Sequence, residues 1–113
     1  MREHNMVLTF TSPPKCRQSV ETAILLHCGG YTMWATHGAW LDPNKKTLRE
    51  NMHRWEVSGP FLLVRRVLRD VKSVLAAAGE QAIWYEVRES DARCEDLTKG
   101  DPDVGPGDNR REA

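Results

Sequence analysis

Apolar and polar residues alternate along four stretches of this chain and follow a helical period along two more. Met6-Val7-Leu8-Thr9-Phe10-Thr11 places Met6, Leu8 and Phe10 on one side of a short strand, which the breaker Ser12-Pro13-Pro14 ends. From Arg17 to Cys28 the spacing changes to i, i+3, i+4, with Val20, Ala23, Ile24, His27 and Cys28 on one side of a helix. Gly29-Gly30 follows, and the pair predicts a left-handed cap. Tyr31 to Leu41 alternates again. Tyr31, Met33, Ala35, His37, Ala39 and Leu41 share one face, and Thr32, Trp34, Thr36, Gly38 and Trp40 share the other. Asp42-Pro43-Asn44-Lys45-Lys46 has turn chemistry and predicts a hairpin into a third strand, Thr47 to Val57.

That third strand is polar in its first half, so the half nearer the turn is expected to project past the core. Ser58 and Pro60 read as the cap and first turn of a second helix. Phe61, Val64, Val67, Leu68, Val71, Val74, Leu75 and Ala78 form its apolar stripe, and Gly79 its end. Gln81 to Val87 is a fourth alternating strand. The order β-α-β-β-α-β with right-handed crossovers predicts a ferredoxin-like α+β sandwich, a four-stranded antiparallel sheet carrying both helices on one face.

Length places all of this in one domain, residues 1–88. Residues 89–113 are acidic and rich in Gly, Pro and Asp, and are expected to be a disordered tail. The formal charge of zero hides that split: Lys and Arg number 12 against 8 Asp and Glu in residues 1–88, and 4 against 8 in the remainder. Cys16, Cys28 and Cys94 have no disulfide-framework spacing, which suggests reduced thiols and a cytoplasmic setting. Met1-Arg2-Glu3-His4-Asn5 lacks a charged-then-apolar signal pattern, and no apolar run nears the ~18 residues of a membrane helix. No membrane association is expected.

Gly30-Tyr31-Thr32, Gly38-Ala39-Trp40-Leu41-Asp42, Leu48-Arg49-Glu50 and Gly79-Glu80-Gln81-Ala82-Ile83 follow one another in an order that resembles a loose group of small uncharacterised bacterial and phage proteins. One branch of that group consists of lipoproteins of no assigned function. The resemblance spans roughly residues 29–88. It implies a ferredoxin-like fold and a phage or mobile-element accessory role, and it carries no activity. The chain departs from the lipoprotein branch in having no lipobox cysteine.

Trp34, Trp40, Trp55 and Trp84 are a heavy aromatic load for so small a sheet. A sheet roofed on one side leaves its other face open, and Trp is enriched at subunit interfaces. These four are therefore the candidate ligand or partner face of a non-enzymatic, homo-oligomeric binding protein. An enzymatic alternative uses Asn51, His53 and Trp55, which alternate along the third strand in the manner of a dimeric barrel monooxygenase, with haem as the cofactor of its haem-degrading form. A third reading takes Arg65, Arg66, Arg69 and Lys72, the basic face of the second helix, as a weak nucleic-acid contact. His27, His37, His53, Cys16 and Cys28 have none of the spacings of a zinc site, so no metal is expected.

Overall fold

The computed structural model describes residues 5–91 and 95–99. Strand β1 (Asn5–Ser12) leads through a short 3-10 turn (Pro14–Cys16) into helix α1 (Arg17–Leu25). Strands β2 (Thr32–Leu41) and β3 (Thr47–Pro60) form a long hairpin, followed by helix α2 (Phe61–Ala77) and strand β4 (Tyr85–Glu89). All pairings are antiparallel and the sheet order is β2-β3-β1-β4. This is the ferredoxin-like sandwich, with β1 and β3 as the central pair.

The core lies between the sheet and the helices. Leu8 and Phe10 of β1, Trp55 and Val57 of β3, Val20 and Ile24 of α1, and Val64, Val67, Val71 and Leu75 of α2 all lose essentially their whole surface there. Burying each such side chain contributes about 1.5–3 kcal/mol. The buried helix positions fall where the apolar periodicity placed them.

Several boundaries differ from the sequence reading. β3 runs through Ser58 to Pro60, because Met6, Val7 and Asn5 of β1 pair with Gly59, Ser58 and Pro60. Ser58 is therefore a strand residue and not a helix cap. Pro60 itself opens α2 with extended backbone, ψ 145°, and no side-chain cap. The end of α1 is also made differently. Cys28 N–H still donates to the Ile24 carbonyl at 2.8 Å, and neither Gly29 nor Gly30 has positive φ. Gly79, at φ 87°, does end α2 in the left-handed region.

β4 begins at Tyr85, not Gln81, since the ladder with β1 starts at Phe10↔Tyr85. It ends at Glu89, opposite Met6, one residue past the expected domain edge. Of the tail, residues 95–99 hold a 3-10 turn (Leu97–Lys99), and the expectation of disorder otherwise lies outside the described residues.

The hairpin is longer than the sheet it belongs to. Pairing of β1 with β3 ends at Ser12↔His53, whereas β2 and β3 continue from Thr36↔Met52 to Leu41↔Thr47. That outer part is a two-stranded arm. Its turn is held by Lys45 N–H donating to the Asp42 carbonyl at 2.9 Å and Lys46 N–H donating to Asp42 Oδ1 at 2.8 Å. Asn44 does not take the left-handed position. Lys45 does, at φ 61°.

Candidate functional site

The sheet has two unlike faces, and register decides which tryptophan belongs to which. Paired residues on antiparallel strands share a face. Trp55 pairs with Phe10 and Met33, so it lies beneath the helices and has no exposed surface. It stacks on Phe10 with ring centroids 6.1 Å apart, meets Tyr31 at 4.9 Å, and donates its indole N–H to Ser12 Oγ at 2.8 Å. Trp55 is thus part of the core and does not belong to the ligand or partner face expected from the sequence. Alternation along β3 carries no label for which side the helices take.

Trp34 and Trp84 lie on the uncovered face. Trp34 pairs with Arg54 of β3, Arg54 pairs with Thr11 of β1, and Thr11 N–H donates to the Trp84 carbonyl at 3.3 Å. These four residues form a row across the sheet. The Arg54 guanidinium carbon sits 4.9 Å from the Trp84 ring centroid and 5.9 Å from that of Trp34, a cation bracketed by two indoles. Both rings remain open to solvent, at 39% for Trp34 and 48% for Trp84. The next row toward α2's start is charged, with Thr9 between Glu56 and Glu86. Arg54 carries no signal of this role in the sequence, because nothing local connects it to rings 20 and 30 residues away.

Trp40 stands further out, on the arm, 52% exposed, with Leu41 and Leu48 also bare near the tip. Between the arm and the 80–84 segment lies a groove of about 400 Å³, lined by Trp40, Glu50 and Met52 on one side and Glu80, Ile83 and Trp84 on the other. Lys15 holds Glu80 at 3.7 Å and donates to the Ala78 carbonyl at 3.3 Å.

Asn51 and His53 are on the same side of β3 as Trp55 but do not join it around an open volume. Asn51 Oδ1 is 2.5 Å from Nδ1 of its cross-strand partner His37. His53 packs edge-on to Trp55 at 6.2 Å, with a buried Nδ1 that has no hydrogen-bond partner among the described residues. A planar macrocycle needs the Trp55 ring accessible, and the helices cover it wholly. These residues do not fit haem. Among the described residues no group of three or more His, Cys, Asp or Glu could hold a metal.

Of the basic helix residues, Arg65, Arg66, Arg69 and Lys72 are all exposed, yet two are already engaged. Lys72 lies 4.9 Å above the Tyr85 ring and Arg69 Nε donates to Asp70 Oδ1 at 3.2 Å. Asp70 in turn meets His27 Nε2 at 2.6 Å, tying α2 to the end of α1. The His27 hydrogen bond, with Arg69 adding to it, holds the Asp70 carboxyl below the usual carboxylate range. Tyr31 donates to Glu21, and that bond raises its phenol above the ordinary value. Burial pushes the Cys28 thiol up.

Among the described residues no helix is long and apolar enough to cross a membrane. No protein-family model matches the chain, and neither does any curated protein. Solved structures do. A Bacillus cereus protein related to NIF3 superposes with a TM-score of 0.64 at 19% identity, over 80% of this chain and 26% of that one. This chain therefore spans about a quarter of that protein's length. A DUF3240 family protein from Shewanella baltica OS155 gives 0.66 at 8% identity, over 83% of this chain and 98% of that one. The divalent ion tolerance protein CutA1 from Ehrlichia chaffeensis gives 0.63 at 7% identity, over 84% and 89%. At such identities the likeness is one of fold, and the fold is the ferredoxin-like α+β sandwich that the strand order describes.

Proposed function

We propose that this is a non-enzymatic binding protein that self-associates through its uncovered sheet face and arm. One observation carries the reading: Trp34, Trp40 and Trp84 are exposed on the side of the sheet that no described helix covers. Large indole surfaces beside an arginine are the composition of interface centres. The arm adds to this. A two-stranded ribbon is marginal by itself in water, and this one exposes Trp40, Leu41 and Leu48. A second copy laid against it would supply the missing layer.

The motif resemblance supports a phage or mobile-element accessory role within this reading. Free thiols at Cys16 and Cys28 suit a reducing, cytoplasmic setting. Sedimentation over a range of concentrations tests the central claim. A mass that rises to a multiple of the 12.9 kDa chain is expected, and Trp34→Ser with Trp84→Ser should return it to one chain. A mass of one chain at every concentration overturns it.

A further inference from the structure

Beyond self-association, we propose that the groove between the arm and the 80–84 segment binds a small free organic cation, an alkylated ammonium ion. Its volume, about 400 Å³, suits one small molecule. Its walls carry indoles and carboxylates together. Trp40 and Glu50 are diagonal neighbours across the arm, because Glu50 pairs with Gly38 and Leu48 pairs with Trp40. Gly38 faces Glu50 across the ladder, and a Cβ added there would meet nothing within 4 Å.

One carboxylate and one ring of the groove stand apart from the others. Glu80 is neutralised by Lys15, whereas Glu50 makes no ion pair among the described residues. Among the described residues the cations that stack on rings are Arg54, on Trp34 and Trp84, and Lys72, on Tyr85. Neither takes Trp40. An uncommitted indole beside an unpaired carboxylate attracts a weakly hydrated cation through both the ring quadrupole and the full charge. Among the described residues a bare metal ion finds no cluster of ligands here.

Choline, tetramethylammonium and the neutral choline isostere 3,3-dimethylbutanol are the probes, followed by tryptophan fluorescence of the full chain. Saturable binding of both cations is expected, about tenfold tighter than the neutral isostere. Glu50→Gln should abolish that preference, and Trp40→Leu should weaken cation binding about tenfold, with the circular dichroism of both variants unchanged. A linear response, equal binding of cation and isostere, or an unaltered Glu50→Gln titration overturns the site. Because Trp40 and Trp84 line the groove and also stand on the self-association face, binding is read at concentrations where sedimentation gives one chain: no saturable binding there overturns the site, whereas a mass that never rises overturns self-association alone. If Trp40→Leu misfolds, Glu50→Gln alone decides the matter, since it keeps shape and removes only charge.

Discussion

Arg54 and Trp55 are adjacent in sequence and belong to different worlds. Trp55 points under the helices, where rings, aliphatic side chains and the Ser12 hydroxyl satisfy it completely. Arg54 points the other way, onto a face that no described element covers, and its guanidinium is held by two indoles that stay wet. The covered face is specified by packing and the uncovered one by charge and stacking. A tryptophan on the first is structure. On the second it is surface available to something else.

This contrast can be broken most severely from the covered side. Trp55→Ala should cost about 3–5 kcal/mol, leaving a cavity between Phe10 and Tyr31 and an unpaired Ser12 hydroxyl, and a lowered chemical-denaturation midpoint would report it. A loss below 1 kcal/mol would mean the helices do not close over this ring.

The next effect lies between the helices. Asp70→Asn weakens the link to His27 and should cost about 1–2 kcal/mol near neutral pH. Because the folded carboxyl is held below its usual value near 3.8, its contribution is in place above that value and is lost as pH falls through the lower folded one. The stability curves of Asp70→Asn and the unmodified chain should therefore converge on acidification. Parallel curves would refute the pairing.

A smaller change, of opposite sign, belongs to the arm. Lys45 occupies the left-handed region at φ 61°, so Lys45→Gly removes steric strain there and should raise stability by about 0.5–1 kcal/mol. Thermal melting measures this directly. The effect tests whether the two-stranded arm is cooperatively joined to the sheet: no shift would mean that it melts separately.

Trp34→Ser should move stability least, within about 0.5 kcal/mol, because the ring covers no core. Its effect should instead be on the sedimenting mass. A destabilisation as large as that of Trp55→Ala would erase the distinction between the two faces.

Much of the fold was legible in the chain because two periods, 2 and 3.6, report which residues share a side. The stripe on α2 and the projecting, polar half of β3 both follow from that. Boundaries were less legible. Ser58 has cap chemistry, but strand pairing with Val7 outweighs a single side-chain hydrogen bond. The Asn51, His53 and Trp55 alternation was equally real, yet alternation establishes only a common face and not an accessible one.

Local patterning by itself determined the order of elements and the grouping of Trp34 with Trp40 on one side of β2. These depend on interactions between residues close in the chain. Tertiary structure alone decided that Trp55 is core, that Arg54 joins Trp34 to Trp84, and that Asp70 answers His27. Each of those depends on which face the helices cover and on register between strands far apart in sequence, and a period read along one segment contains neither.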